Sequence, residues 1–402
     1  MDSRHLPPHK PPVKKADEVP LSQGEKRLSL GLIITAHATS HIYQLLLPLV
    51  LPQIASEYSL TNFEAGLVLA VFSASSSLFQ TFFGIFSRRF GRKRLLCLGF
   101  VVNAVAFAAI GLSQNFLSLN VLLFIAGIGW STYHPLGIHF ISDLYPEKRG
   151  ESLGYHQAGG SVGSFLAPLF AGFLVESFGW RYSFLALSSL GFVVAVLLWI
   201  LLSDVAMETS SSSRPKLRNL TNPMILVFTA MVYSVALRGV QSFATKYFQE
   251  EKGATYFEAA IFYSMLQAAG IVSGPLSGRL SDIIGRAKVI GALIVLQSLS
   301  VFGLVLFRGV PLYLPCIAYG FASFGLLATS DAFIVDITPR DLVGTALGIN
   351  LATSFAMQVF VPPVLGSSID ARGFDISFEL ISWVSLSSLL PLGWLAHRRK
   401  DH

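Results

Sequence analysis

The sequence predicts an all-α integral membrane protein of twelve transmembrane helices in two parallel six-helix repeats. Three observations carry this. Hydrophobic residues make up 52% of the 402-residue chain, charged residues only 13%, and the mean hydropathy is +0.60, whereas a soluble globular domain carries about 25% charged residues. The apolar residues gather into twelve runs long enough to cross a bilayer, which takes roughly 20 residues per helix. The first six runs match the last six at one constant offset. This composition excludes an ordinary water-soluble enzyme.

The spans follow in order. Spans 1 to 6 cover 28–52, 64–86, 95–113, 117–142, 150–176 and 182–203; spans 7 to 12 cover 223–246, 256–278, 288–308, 311–336, 342–369 and 376–396. Several contain Gly, Pro and Ser, which a bundle tolerates because neighbouring helices satisfy the freed backbone groups. The runs are too long, and too uniformly apolar, for the period-two pattern of a membrane barrel. Residues 1–27, rich in Pro and Lys, read as a disordered cytoplasmic tail. Residues 28–203 form the N-terminal half, 204–222 a Ser-rich cytoplasmic linker, 223–397 the C-terminal half and 398–402 a short cytoplasmic end. The first apolar run is long enough to span and is followed by others, so no cleavable signal is expected.

Charge sets the orientation. The formal net charge is +6, but its placement points to a membrane surface and not to nucleic acid. Of the 29 Lys and Arg, 23 fall in segments on one side and five on the other, and Arg238 lies inside a span. Both termini are therefore expected in the cytoplasm of a multi-pass cell-membrane protein. The sequon at Asn219 then faces the cytoplasm and carries no glycan. Cys97 and Cys316 sit within apolar runs, without disulfide or metal-ligand spacing, and read as packing residues.

The repeat has an offset of 194 residues. Thr61, Phe63, Glu64 and Ala65 match Thr255, Phe257, Glu258 and Ala259; Gly84, Gly91 and Arg92 match Gly278, Gly285 and Arg286; Leu153 and Gly154 match Leu347 and Gly348. Pro168, Gly172 and Gly179 match Pro362, Gly366 and Gly373. Six spans is an even number, so the two copies keep one orientation and are related by an axis along the membrane normal. Parallel repeats of this kind hold a substrate site near the midplane, between the halves.

The loop after spans 2 and 8, GIFSRRFGRKR from Gly84 and GRLSDIIGRAK from Gly278, resembles the repeated signature of the major facilitator superfamily. Gly154, Gly163, Ala167, Pro168, Ala171 and Gly172 on span 5 resemble its antiporter motif, with Ala at two Gly positions. HATSHIYQLLLPLVLP from His37, YHPLG from Tyr133 and RGESLGYHQAGGSVGSFLAPL from Arg149 are similar to the fosmidomycin-resistance-type efflux branch. The resemblance implies proton-driven efflux of small compounds by alternating access. Two departures bear on coupling. Ser40-His41 stand where span 1 of that branch usually has Asn-Asp, and span 4 lacks the Arg that many proton-coupled members carry before Gly127 and Gly129. In the superfamily the signature-loop Asp of the first copy acts on the start of helix 11. Here that Asp is present only as Asp282 in the second copy; the first has Arg88, beside Arg89. A reversed-charge latch is therefore expected, joining Arg88 to Asp341 or to the Asp143/Glu147 pair.

Ionisable groups inside a membrane are expensive and mark function. His37, His41, His134, His156 and Asp331 are the candidates for proton coupling, since imidazole titrates near neutral pH. Their plainer role is interhelical hydrogen bonding. No carboxylate or Cys accompanies the histidines at their depth, so no metal is expected. Arg238, roughly 22 Å from the inner surface, is the candidate for docking an anionic group, because guanidinium grips carboxylate or phosphonate in two-point fashion; Asp331 is its alternative, structural partner. Tyr43, Gln44, Tyr133, Gln157, Gln241, Gln267, Tyr319 and Asn350 are further substrate-binding candidates.

The expected activity is secondary transport by alternating access, with proton-coupled export of a small amphiphilic or anionic compound and the lipid bilayer as surroundings. The alternatives are uptake of an anionic metabolite with protons and, from another class, a transport-inactive receptor or scaffold. No catalytic constellation and no phosphate-binding loop of the G-x-x-x-x-G-K-[ST] form occurs, so neither an enzyme nor a cofactor is expected, and the chain is expected to work as a monomer.

Overall fold

The computed structural model describes residues 21–203 and 220–398, apart from the side chain of Arg88. Twelve helices of spanning length and composition occur among them, and no strand. In the N-terminal half these are α1 (Gln23–Glu57), α2 (Asn62–Phe90), α3 (Arg92–Ile110), α4 (Phe116–Leu144), α5 (Arg149–Phe178) and α6 (Trp180–Leu201). In the C-terminal half they are α7 (Thr221–Glu250), α8 (Tyr256–Ile284), α9 (Arg286–Leu306), α10 (Tyr313–Ile337), α11 (Val343–Arg372) and α12 (Phe374–Arg398). Turns break α4 at Ser131–Thr132, α8 at Ala269 and α12 at Ser388.

Two boundaries differ from expectation for a local reason. The expected tail contributes its last residues to α1, because Ser22 caps the helix and Glu25 reaches back to the Ser22 amide at 2.8 Å. The reciprocal capping box satisfies two amides that have no partner within the helix. Helix α7 likewise opens at Thr221, inside the expected linker. Residues 1–20, 204–219, including Asn219, and 399–402 lie outside the described residues.

The repeat is visible as chemistry. Its best-matched stretches are the capping boxes Thr61/Glu64 on α2 and Thr255/Glu258 on α8. The signature-loop glycines turn the chain sharply between consecutive helices: Gly91 has φ +82° and Gly285 φ +100°, a region that costs other residues a Cβ clash. Gly179 and Gly373, also 194 apart, do the same after α5 and α11, with φ +82° and +81°.

The halves meet mainly along α2 with α11 and α5 with α8, most closely near the ends remote from the chain termini. A Cβ on Gly66 would sit 2.5 Å from the Pro362 carbonyl oxygen, one on Gly366 2.1 Å from that of Asn62, and one on Gly172 2.3 Å from Ala260 Cβ. Carboxylates close the same end. Asp370 on α11 accepts from the Asn62 and Phe63 amides at 2.8 and 2.9 Å, and from Asn62 Nδ2 at 2.9 Å. Glu176 on α5 accepts from the Phe257 amide at 2.6 Å. These are equivalent clasps, since Glu176 and Asp370 are 194 residues apart, as are Phe63 and Phe257. Each places a negative charge on the positive N-terminal end of a helix in the other half. Asp370→Asn is expected to weaken this seal by about 1 kcal/mol, a several-fold shift. A cysteine at Ser242 then reacts several-fold faster with an impermeant thiol reagent added from the sealed side.

Candidate functional site

Between the halves lies a cavity of about 730 Å³. Its lining residues come from the terminal-side parts of α1, α2, α4, α5, α7, α8, α10 and α11, so it faces the side that carries the chain termini and stops at the seal. A chamber of about 80 Å³, with Gln44, Phe72, Arg238, Ser242 and Tyr263 in its wall, continues toward the sealed end.

The N-terminal half gathers all four histidines singled out in the sequence. His37 and His41 lie one helical turn apart on α1 and point the same way. His37 Nδ1 is 2.8 Å from the His156 carbonyl oxygen on α5, and His41 Nε2 is 3.1 Å from His37 Nε2. A carbonyl only accepts, so His37 Nδ1 carries the proton and its Nε2 is the free base, which accepts from His41 Nε2. The His156 ring stacks on His37 with centroids 3.9 Å apart, and His134 meets His37 edge-on at 5.4 Å. Glycine makes the room: a Cβ on Gly160 would come within 2.4 Å of His37 Cε1. On the same helix Gly163 lets α1 approach, since its Cβ would fall 2.5 Å from the Ala38 carbonyl oxygen. Ala167, Pro168 and Gly172 of the antiporter-like motif are buried, while Gly154 faces open space.

Tyr133 stands behind this cluster. Its hydroxyl is 2.6 Å from the Ile33 carbonyl oxygen and 2.9 Å from His156 Nε2. The single phenolic proton goes to the carbonyl, so His156 Nε2 donates to the tyrosine oxygen. Tyr133, expected to contact substrate, is instead fully buried and positions His156. Tyr43 and Tyr319 are likewise corrected. Tyr43 donates to the Leu187 carbonyl at 3.1 Å and Tyr319 to that of Leu237 at 2.9 Å; both are buried away from the cavity. An unpaired phenol in a bundle finds a carbonyl more cheaply than it faces a wet cavity.

The C-terminal half presents Arg238. Nη1 donates to Gln241 Oε1 at 3.1 Å and Nη2 to Ser354 Oγ at 2.7 Å. With its amide turned so that oxygen faces the guanidinium, Gln358 accepts from both, at 2.8 and 3.0 Å. Nε has no partner. Among the described residues no carboxylate stands within ion-pair distance of Arg238. The structural partner considered for it, Asp331, is engaged elsewhere and accepts from Asn350 Nδ2 at 2.9 Å. Gln44, Gln157, Gln241, Gln267, Asn350 and Asp331 all line the cavity. Ser354 is not among the sequence candidates, since one hydroxyl on an apolar helix carries no mark in a sequence.

The signature loops clasp each half internally. Arg92 is ion-paired with Asp143 at the end of α4, and Arg286 with Asp336 at the end of α10, at 2.9 Å. Arg286 also holds Asp282 at 2.6 Å. Asp143, one expected partner of Arg88, is thus taken by Arg92, and Asp282 serves its own half rather than α11. The Arg88 side chain lies outside the described residues, so the latch to Asp341 or Glu147 is not placed. Arg89 approaches the Phe90 ring at 5.6 Å.

Twelve spanning helices in two parallel repeats, sealed at one end around a cavity with polar and charged side chains set in a largely apolar wall, define a membrane transporter. The chain matches the sequence model of the Major Facilitator Superfamily over residues 32–362 and belongs to that family. A multidrug resistance protein, MdtG, of Yersinia enterocolitica is 25% identical over 388 residues, covering 92% of each chain. A cis,cis-muconate transport protein of Acinetobacter baylyi is 27% identical over 333 residues, covering 76% of this chain and 78% of its own. Among solved structures, a bacterial homolog of the human lysosomal transporter Spinster, inward-facing and occupied, superposes with a TM-score of 0.79 at 17% identity, over 94% of this chain and 96% of that one. The nucleoside transporter NupG superposes at 0.80 and 12% identity, over 92% and 99%.

Proposed function

We propose that this transporter works by alternating access and exports a small anionic or amphiphilic compound in exchange for protons, with both termini in the cytoplasm. The observation that carries the substrate class is Arg238. Its charge is half-buried in the cavity wall and held only by neutral oxygens, and such a charge attracts an anion. The apolar lining, with Leu45, Met231, Phe324 and Phe355, suits a cargo with a hydrophobic body. The relatives named for multidrug resistance and for transport of muconate, a dicarboxylate, agree with such a cargo.

Asp331 is the proton carrier in this reading. It faces the cavity and is bound through an Asn350 amide, with no ion pair among the described residues to fix its charge. The histidine cluster is less suited, because His37 and His41 nitrogens 3.1 Å apart do not both accept a charge. A proton taken up from outside neutralises Asp331 and its release inside restores the anion. Asp331→Asn is expected to remove pH-driven transport while leaving cargo binding within about threefold, since only a neutral amide replaces the acid. Inside-out vesicles with an acidic lumen test the direction. Accumulation of labelled anionic test compounds driven by that gradient supports export; accumulation only under the reversed gradient points to uptake, and none under either contradicts transport of anions.

A further inference from the structure

We infer that His37, His41 and His134 form a three-imidazole binding site for a divalent late transition-metal ion, such as Zn²⁺, Ni²⁺ or Cu²⁺, in the wall of the cavity. One donor nitrogen from each ring can be chosen so that all lie within 4.8 Å of one another. His37 and His41 are nearly in place. A tetrahedral centre with metal–nitrogen bonds of about 2.0–2.1 Å sets two ligand nitrogens about 3.3–3.4 Å apart, and these two Nε2 atoms are 3.1 Å apart. A metal ion takes the place of this hydrogen bond: His41 shifts its proton from Nε2 to Nδ1, both Nε2 lone pairs then face the metal, and rotation of the His134 ring completes the third bond. All three residues line the cavity, so the fourth position opens into it.

The surroundings are those of a metal ligand set. His37 donates Nδ1–H to the His156 carbonyl at 2.8 Å, which fixes the tautomer and leaves Nε2 as a base; ligating histidines characteristically make this bond through the other nitrogen. The stacked His156 ring holds His37 from behind, with its own Nε2 tied to Tyr133 at 2.9 Å. His134 is backed by the Trp130 indole at 4.9 Å, which is itself fixed by a 2.8 Å bond from Nε1 to the Ser40 carbonyl. With no thiolate in the set, a borderline metal is favoured over a soft monovalent one, and three imidazoles favour it over Mg²⁺ or Ca²⁺. Helix packing does not demand these rings. At the same offset of 194 the other half has Met231, Val235 and Ala328. The absence of carboxylate and Cys, which argued against a metal in the sequence, loses its force once three imidazoles converge.

The site is independent of cargo and direction. Calorimetric titration of the purified full-length protein with Zn²⁺ is expected to show one ion bound per chain. With Co²⁺ as probe, the visible absorption of a tetrahedral site is expected. The double variant His41→Ala/His134→Ala leaves the buried His37 and His156 in place; it is expected to keep the thermal unfolding profile, lose the Co²⁺ band and weaken Zn²⁺ at least about tenfold. His139→Ala, an exposed residue more than a full turn beyond His134 on α4 and outside the set of three, serves as the control and changes neither. Absence of stoichiometric binding to the wild type overturns the site. So does binding that survives in the double variant, which assigns the ion to other histidines.

Discussion

Arg238→Ala is expected to cut affinity for an anionic cargo about 100-fold. Two charge-assisted hydrogen bonds from one guanidinium contribute about 3 kcal/mol together, and about 1.4 kcal/mol is a factor of ten. The present partners of Arg238 are Gln241, Ser354 and Gln358. They position the fork but leave its charge uncompensated, so the alanine protein loses little of its own packing. Arg238→Lys retains a point charge without the fork and is expected to lose about tenfold. Equilibrium binding to the purified protein distinguishes these; unchanged affinity in both variants removes Arg238 from the site. A rise in thermal stability of the alanine variant in the absence of cargo is the companion expectation, because it relieves a buried charge.

Gly348→Trp is expected to abolish turnover while leaving the fold and cargo binding intact. Gly84, Gly150, Gly154, Gly278, Gly344 and Gly348 lie on the four helices where the halves face each other. A Cβ added at any of these six would meet nothing within 4 Å. They form three pairs at the repeat offset and all lie on the open side. On the sealed side Gly66, Gly172 and Gly366 are in close contact with the other half. The open-side glycines thus have no packing reason in this state, and each one costs about 1 kcal/mol relative to alanine within a helix. Their reason is the other state, in which the open side closes at similarly short range. An indole at 348 fits here and blocks that closure. Transport in proteoliposomes is expected to fall at least about 100-fold, since the blocked state must be disfavoured by more than about 3 kcal/mol of steric overlap, with binding from the open side unchanged.

Much of this was legible in the sequence, and each part for a physical reason. Spans are legible because a bilayer demands length and apolarity whatever the neighbours do. The halves are legible because caps and tight turns recur: Thr61 and Glu64 with Thr255 and Glu258, Gly91 with Gly285. The four histidines and Arg238 stand out because polar groups are costly in an apolar run. Their partners do not. That Tyr133 serves His156, that Tyr43 and Tyr319 turn to carbonyls, and that Asn350 answers Asp331 depend on helix rotation, which apolar all-round helices leave unspecified. The clasps of Glu176 and Asp370 were hidden for another reason: each carboxylate binds backbone amides, and an amide has no letter in the sequence. They could have been found as an acidic pair at the repeat offset, three residues before the matched glycines Gly179 and Gly373.

The sealed-side contacts also predict the contacts of the opposite state. Along α2 and α11, Gly66 lies against Pro362 and Pro363 and Gly366 against Asn62, and along α5 and α8, Gly172 lies against Ala260. Antiparallel continuation of these registers brings Gly84 opposite Gly344 and Gly154 opposite Gly278. Cross-linking of Gly84→Cys/Gly344→Cys, in protein whose Cys97 and Cys316 are replaced by alanine, therefore tests alternating access most directly. Alternating access predicts that a short bifunctional thiol reagent joins the pair, that transport then stops, and that cleaving the link restores it. A folded, transporting double-cysteine protein whose pair is never joined, or whose joining leaves transport running, contradicts it.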